Sequence, residues 1–296
     1  MRLSQTQLAE HLGVSQQTVA RWETSGQIPA KYIKDLAVLM GARAQDFLPR
    51  ASESPSKAGS SNVLALHKYN KEDGVAEDED STLPFGDVCF RFAGDREGEA
   101  TFFPVTWGTL NHIQQQLSDA AFNPAHTSPW IQFEALNNKW VTVNTQQVDR
   151  ITFVDDDVEA MSPYHHSEVY KAAADLLDNM PTTEDLEKEE FPYSKSLVER
   201  AVAFIEALGE RSYIELDGLT VQFASGQQIS KVINSEVATL LDLVFSGTER
   251  DDPQVRGFLE LDFRDDGQFE HVRLDGVRFI EAALAAFIEA CDQEDN

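Results

Sequence analysis

A group of carboxylates and imidazoles that could bind a metal ion lies within the twelve residues from Asp155 to His166. It consists of Asp155-Asp156-Asp157, Glu159 and His165-His166. Carboxylates and imidazoles bind divalent cations. However, adjacent histidines project in different directions, and the segment lacks the glycine-containing pattern of a calcium loop. The pattern therefore favours a solvated acidic loop, with Ser162-Pro163 as a turn, and predicts no metal site.

The cysteines and the remaining motifs do not indicate catalysis either. Cys89 and Cys291 are far apart, and no reactive-site motif surrounds them, which is typical of reduced, buried thiols in the cytoplasm. The sequence contains no phosphate-binding glycine-rich loop, no cysteine-pair zinc motif and no nucleophile elbow. It also contains no apolar run that could cross a bilayer and no signal segment. We therefore predict a cytoplasmic protein that is not an enzyme and has no cofactor.

A different chemistry is indicated between Ser4 and Pro29, where the chain reads S-Q-T-Q-L-A-E-H-L-G-V-S-Q-Q-T-V-A-R-W-E-T-S-G-Q-I-P. Ser4 and Ser15 are good N-caps for two successive helices. Gly13 ends the first helix in a left-handed conformation at no steric cost. The run therefore predicts two crossing helices, the second held out from the domain. The apolar residues that these helices turn inward are Leu8, Leu12, Val19 and Trp22.

This run resembles the helix-turn-helix of the Cro/C1-repressor (XRE-type) family. The small residue Ala9, the Gly13-Val14-Ser15 turn and the Arg21-Trp22-Glu23 segment stand at that family's spacings. Helical spacing predicts a further helix over Tyr32–Met40 and a short last helix over Gln45–Leu48. The resemblance covers residues 1–50 and implies a lambda-repressor-like, all-α DNA-binding domain.

One departure from the family concerns the helix that usually precedes the motif. Only Met1, Arg2 and Leu3 precede Ser4, so either the domain lacks its first helix or the true start lies upstream. Both readings stay open, and in either case the sequence as given lacks the first helix. Leu8, Leu12 and Trp22 would then lose part of their cover, and the domain would be marginally stable unless it leans on a partner subunit.

The resemblance also implies which side chains contact DNA. The start of the second helix, the recognition helix, enters the major groove. There a glutamine amide pairs with adenine, a threonine methyl group meets thymine, and an arginine suits guanine or phosphate. Residues at helix starts and nearby lysines contact phosphates. The expected groove residues are Gln16, Gln17, Thr18 and Arg21, and the expected phosphate contacts are Ser4, Gln5, Ser15, Lys31 and Lys34.

The net charge of −27 is the reverse of that usual in nucleic-acid binders. Residues 1–50 contain six Lys/Arg and four Asp/Glu, which gives +2, and residues 51–80 contribute −4. The remaining −25 belongs to the C-terminal region, which should repel DNA. A nearly neutral DNA-binding head binds weakly as a monomer. We therefore expect a homodimer or higher homo-oligomer that contacts two half-sites.

Composition divides the chain into four predicted parts. Residues 1–50 form the helix-turn-helix domain, and residues 51–84 form a flexible acidic linker. Residues 85–180 and 190–296 are predicted to be α+β subdomains with small antiparallel sheets. Tyr213–Asp217 resembles Trp130–Glu134, and Gln227–Val232 resembles Gln146–Ile151. The second subdomain is thus interpreted as a rearranged repeat of the first, with chance similarity as the alternative.

Apolar periodicity predicts the elements of these subdomains. The predicted strands are Val88–Phe92, Ala100–Val105, Trp130–Ala135, Trp140–Asn144, Val148–Val154, Tyr213–Asp217, Gln227–Val232, Phe258–Phe263 and Phe269–Leu274. The predicted helices are Trp107–Ala121, Ser167–Asn179, Ser194–Leu208, Glu236–Phe245 and Val277–Cys291.

Taken together, these features predict a DNA-binding transcription regulator and favour a repressor over an activator. Its acidic C-terminal region would mediate oligomerisation and sense a protein or small-molecule effector, without any membrane partner. One alternative is an antitoxin or antirepressor whose C-terminal region binds a partner protein. The other is an interaction protein that does not bind DNA. Autoproteolysis, which many such repressors perform with a Ser–Lys dyad, is not expected, because the adjacent Ser194 and Lys195 cannot form that dyad.

Overall fold

The computed structural model describes residues 3–25, 28–42, 44–47, 82–96, 99–122, 129–155, 160–179, 181, 191–233, 235–245, 257–263 and 268–294. Most of the predicted linker 51–84 lies outside these residues, as do residues 156–159 of the predicted acidic loop. The chain divides into two compact units. The first unit comprises Met1–Ala58 with His165–Ser212, and the second comprises Gly59–Tyr164 with Tyr213–Asn296.

In chain order, the helices are α1 (Gln5–Leu12), α2 (Gln16–Ser25), α3 (Ala30–Met40), α4 (Trp107–Phe122), α5 (Ser167–Asn179), α6 (Lys195–Leu208), α7 (Ser212–Asp217), α8 (Ser235–Phe245) and α9 (Leu284–Glu294). The strands are β1 (Pro84–Phe92), β2 (Thr101–Thr106), β3 (Trp130–Ala135), β4 (Lys139–Asn144), β5 (Val148–Asp155), β6 (Gly218–Phe223), β7 (Gln228–Val232), β8 (Phe258–Phe263), β9 (Gln268–Arg273) and β10 (Val277–Ala283). Short 3-10 helices occupy Ala44–Phe47, Thr145–Gln147, Gly209–Arg211 and Leu274–Gly276. None of the helices in the described ranges has the length and apolarity that a membrane crossing requires.

Local signals define the helices of the first unit as the sequence predicts. Ser4 caps α1, and its hydroxyl accepts a hydrogen bond from Gln7 N. Gly13 ends α1 with φ 64°, in the left-handed region, where glycine avoids the steric cost of a Cβ. The buried residues at the centre of α1–α3 are Ala9, Leu12, Val19, Trp22 and Leu36. This small cluster confirms the predicted core positions of the helix-turn-helix.

The second unit is built on antiparallel sheets. A three-stranded sheet has the order β2-β1-β5, a five-stranded sheet has the order β3-β4-β10-β6-β7, and β8 pairs with β9. One apolar cluster lies between the five-stranded sheet and the elements β1, β2 and α4. A second cluster lies between the five-stranded sheet and the elements α8, α9, β8 and β9. The five-stranded sheet is therefore covered on both faces, with β10 as its central strand.

The same succession of elements occurs twice in this unit. The first repeat, residues 84–155, runs β1, β2, α4, β3, β4, a 3-10 turn and β5. The second repeat, residues 218–283, runs β6, β7, α8, β8, β9, a 3-10 turn and β10. Pairing is also equivalent, because β1 pairs with β2 and β5, just as β6 pairs with β7 and β10. The repeat is therefore direct and not rearranged.

Three sequence-based predictions are corrected by these pairings. Val277–Ala283 is a strand and not the start of the last helix, because it hydrogen-bonds with β4 and β6 on its two sides. Tyr213–Asp217 is helical, so it is not a counterpart of strand β3. The structure also departs from the predicted boundaries 85–180 and 190–296. Strands from both ranges share one sheet, and α5 and α6 belong to the first unit.

Candidate nucleic-acid interface

The first turn of α2 presents the predicted groove residues at the surface. Ser15 caps this helix, because its Oγ accepts a hydrogen bond from Thr18 N at 3.2 Å. Ser15 Oγ and Thr18 Oγ1 are also 2.9 Å apart, and Thr18 is half-buried. Gln16, Gln17 and Arg21 are exposed. Their amides and guanidinium are therefore accessible to a ligand.

Gln5 connects the starts of α1 and α2. Gln16 Nε2 donates to Gln5 Oε1 at 3.5 Å, and Gln5 Nε2 donates to Glu23 Oε2 at 2.6 Å. The carboxylate of Glu23 thereby orients Gln5, and Gln5 in turn orients the Gln16 amide. The sequence predicts no role for Glu23 at the interface, although this residue stands in the Arg21-Trp22-Glu23 segment that carries the family resemblance.

The N-terminus of α1 is closed by a reciprocal capping box. Gln7 N donates to Ser4 Oγ at 3.3 Å, and Ser4 N donates to Gln7 Oε1 at 2.9 Å. Such a box satisfies two of the backbone donors that a helix start leaves unpaired. Ser4 is exposed and Gln5 is half-buried. These two predicted phosphate contacts, Ser4 and Gln5, lie at the beginning of α1.

The two lysines of α3 have different surroundings. Lys31 is half-buried, and its Nζ lies 5.5 Å from the ring centroid of Tyr32. Lys34 Nζ lies 4.2 Å from the ring centroid of Tyr193. That distance is within the range of a cation–π interaction. Lys34 is thus engaged within the first unit, whereas Lys31 makes a looser contact with its neighbour.

Helices α5 and α6 supply additional contacts to the helix-turn-helix. Ser196 Oγ, in the first turn of α6, donates to the His11 carbonyl at 3.0 Å. The carbonyl oxygen of Ala42 accepts a hydrogen bond from His166 Nε2 at 2.9 Å. In addition, Leu12 and Trp22 are only 2% and 6% exposed. Leu12 and Trp22 therefore do not lose their cover, and α1 and α3 pack against helices of the same chain.

Asp35 is a buried carboxyl on α3 that no sequence motif indicates. It is 3% exposed. Burial raises the pKa of Asp35 above its usual value, while a hydrogen bond with Ser194 and the charge of Arg200 oppose that shift. Ser194 is also the N-cap of α6. Asp35 therefore joins α3 to the beginning of α6.

The comparisons with known proteins bear on the same segment. Residues 1–47 match the helix-turn-helix family model. No curated protein and no solved structure matches the chain. The matched residues contain every side chain predicted to contact DNA. Residues 1–47 thus form a helix-turn-helix of the XRE type, and this match supports a DNA-binding transcription regulator.

Proposed function

We propose that the protein is a cytoplasmic, sequence-specific transcriptional repressor, in which the first turn of α2 reads the major groove. The observation that carries the proposal is the joint exposure of Gln16, Gln17 and Arg21, with Gln16 oriented by Gln5. Preorganised amides lose less conformational freedom on binding than mobile ones. The proposal assigns no catalytic role to the chain.

The base contacts follow from the chemistry of the exposed groups. A glutamine amide can donate to adenine N7 and accept from N6, and a guanidinium can donate twice to guanine. We assign the first role to Gln17 and the second to Arg21. Gln16 and Thr18 complete the groove-facing set. Phosphate contacts are assigned to Ser4, Gln5, Ser15 and Lys31, whereas Lys34 is held at the Tyr193 ring.

Oligomerisation is proposed from the charge balance. The DNA-binding head carries a net charge of +2, whereas residues after position 80 carry −25. Long-range repulsion between the acidic region and DNA weakens binding by one head. Two linked heads on adjacent half-sites raise the overall affinity through effective concentration. The C-terminal region would then set the spacing of the heads and respond to an effector.

The test is fluorescence anisotropy with a labelled DNA fragment from immediately upstream of the coding sequence. Each base pair that loses its bidentate partner should lose roughly 1–3 kcal/mol of binding free energy. We expect Gln17→Ala and Arg21→Ala each to weaken binding about fivefold to 150-fold. Arg211→Ala is the matched control, because Arg211 is exposed, belongs to the first unit outside α1–α3 and carries the same charge as Arg21.

Three results would contradict the proposal. Equal binding by wild type and both groove variants would exclude base reading by α2. Absence of binding at low salt, with this fragment and with a randomised DNA pool, would favour an interaction protein that does not bind DNA. The antitoxin or antirepressor alternative would be favoured if a protein encoded by a neighbouring gene binds the C-terminal region and thereby changes the affinity for DNA.

A further inference from the structure

The two repeats of the second unit match in backbone detail. In the first repeat Thr145 N donates to the Pro129 carbonyl at 2.8 Å, and in the second Leu274 N donates to the Gly257 carbonyl at 3.0 Å. Each bond joins the 3-10 turn to the residue just before the hairpin. Similarly, Ala93 N donates to the Gln147 carbonyl, and Ala224 N donates to the Gly276 carbonyl. The repeats are thus related residue by residue.

The strand irregularities coincide as well. The β1–β5 pairing skips Asp149, since Phe92 pairs with Val148 and Arg91 pairs with Arg150. The β6–β10 pairing skips Arg278, since Phe223 pairs with Val277 and Gln222 pairs with Phe279. A bulge at the same position in both copies fixes the correspondence of β5 with β10. By the same alignment, β4 corresponds to β9.

The strands that join the repeats are β4 and β10. They pair in antiparallel register from Phe279 opposite Val143 to Ala283 opposite Lys139. This contact uses the β4 edge of the first repeat and the β10 edge of the second. Each repeat thus contributes a different edge, so the contact between the two repeats is heterologous, or head-to-tail. The counterparts of these two edges are β5 in the first repeat and β9 in the second.

Both counterpart strands stand at sheet edges. Among the described residues, β5 has β1 as its strand neighbour, and β9 has β8. The environment of β5 reflects this position, because Ile151 is half-buried whereas its counterpart Ile280 is 0% exposed. Sheet edges of this kind readily pair with a further strand. Within one chain the edges are not joined, since the sheets remain separate.

We propose that β5 of one copy pairs with β9 of a second copy, which continues the β4–β10 contact between chains. The β4–β10 register, transferred to these strands, places Arg150 opposite Val272, Thr152 opposite Glu270 and Val154 opposite Gln268. Arg150 then lies diagonal to Glu270, within reach of its carboxylate. Each copy offers one edge of each kind, so the contact repeats until the assembly closes. This assignment rests on the proposed function, since it identifies the surface through which the regulator would oligomerise.

The first test exchanges the charges at this diagonal in the full chain. Arg150→Glu places its carboxylate next to that of Glu270 of the second copy. In a sedimentation experiment, we expect this variant to have the mass of a monomer. Arg150→Glu combined with Glu270→Arg restores the attraction and should recover the wild-type mass. Arg91→Glu is the matched control, because Arg91 is the cross-strand partner of Arg150 on β1 and lies away from the proposed edge. A monomeric wild type, or an Arg150→Glu variant with wild-type mass, would overturn the proposal.

The second test measures the register by disulfide formation between differently substituted chains. A mixture of Val154→Cys chains and Gln268→Cys chains should give a cross-linked dimer under mild oxidation, because directly opposite Cβ atoms approach within disulfide distance. Val154→Cys mixed with Arg273→Cys is the off-register control and should not cross-link. No cross-link in the first mixture would overturn the proposal. So would equal cross-linking of the control, or a doubly substituted chain that links only within itself.

DNA binding by the same preparations separates this inference from the proposed function. If the register test fails while the wild type binds the upstream fragment, only the β5–β9 assignment is wrong. If the cross-link forms while wild type binds no DNA, the assembly surface stands and the proposed DNA-binding function fails.

Discussion

Lys34 Nζ on α3 lies 4.2 Å from the ring centroid of Tyr193, which stands just before α6. The Tyr193 hydroxyl also donates a hydrogen bond to Asp175 Oδ2 on α5. One aromatic side chain thus links three helices of the first unit. The arrangement makes Lys34 part of the packing of the helix-turn-helix, in addition to its predicted role at the phosphate backbone.

We expect Lys34→Ala and Tyr193→Leu to be coupled in stability. Cation–π pairs contribute roughly 0.5–2 kcal/mol, so a double-mutant cycle in urea should give a coupling free energy in that range. Tyr193→Phe keeps the ring and should preserve the coupling, although it loses the bond to Asp175. If the two substitutions are additive, the Lys34 ammonium does not depend on the ring.

Lys31 and Lys34 are expected to differ in their effect on DNA binding. Removal of one phosphate contact should reduce the slope of log affinity against log salt by about one. Lys31→Ala should show this reduction, because its contact with Tyr32 is long. Lys34→Ala should leave the slope close to that of wild type and lower the free energy of unfolding instead. A reversed pattern in salt titrations would identify Lys34 as the phosphate contact.

Asp35 should make stability depend on pH. Its pKa is raised by burial from 3.8, so the native state binds the proton more tightly than the unfolded chain. The stabilisation is therefore present below pH 3.8 and is lost as pH rises through the raised pKa. We expect Asp35→Asn to be more stable than wild type at neutral pH, with a difference that shrinks towards acid pH.

Urea unfolding of Asp35→Asn and wild type between about pH 4.5 and 7.5 checks this expectation. Asp178→Asn is the control, because it makes the same change of side chain at an exposed position on α5. If Asp35→Asn is less stable than wild type by the same amount at every pH, the prediction is wrong. The bonds of the Asp35 carboxylate to α6 then stabilise the fold by more than the burial of its charge destabilises it.

The elements that the sequence predicts well have their determinants within a few residues. Trp130–Ala135 and Ser167–Asn179 are found with the predicted bounds, because apolar periodicity and flanking turns define them. By contrast, Val277–Ala283 precedes α9 directly, and its apolar residues continue the helical spacing of α9. What makes it a strand is its pairing with β4 and β6, and neither strand is adjacent in sequence.

In the candidate interface, too, local features can be predicted from the sequence and long-range contacts cannot. The caps Ser4 and Ser15 and the turn residue Gly13 are predictable, since each acts on its own helix end. The contact of Ser196 with the His11 carbonyl joins residues that are far apart in the chain. Neither a serine nor a histidine at these positions indicates from the sequence that the two residues are in contact. The sequence therefore allows a prediction of the side chains that contact DNA, but not of the helices that pack against the helix-turn-helix.

Asn138 is expected to be sensitive to substitution because it serves two elements. It closes the β3–β4 hairpin with φ 61°, and its Oδ1 accepts from Ala285 N at 3.1 Å, at the start of α9. Asn138→Ala loses the cap and places an alanine in the left-handed region, which together should cost about 2 kcal/mol. Asn138→Gly relieves the backbone and should cost about half as much. Equal free energies of unfolding for the two variants would show that the backbone conformation contributes nothing.

Lys139 lies between two carboxylates in the second unit. Its Nζ is 2.8 Å from Glu215 Oε2 and 3.7 Å from Glu281 Oε1, and its side chain is 8% exposed. Burial raises the pKa of Glu281, Lys139 opposes the shift, and Glu215 adds to it. Lys139→Met removes the opposing charge, so we expect a loss of roughly 3–5 kcal/mol at pH 7.

That loss should be smaller at pH 5. Without Lys139 the pKa of Glu281 rises further, so the native state takes up a proton that the unfolded chain releases, and stability falls as pH increases. Lys171→Met is the control, because its ion pair with Glu168 involves a side chain that is 54% exposed and should contribute at most about 1 kcal/mol. Urea unfolding of Lys139→Met at the two pH values decides the question. A variant as stable as wild type at pH 7 would mean that methionine packing replaces the ion pair without loss.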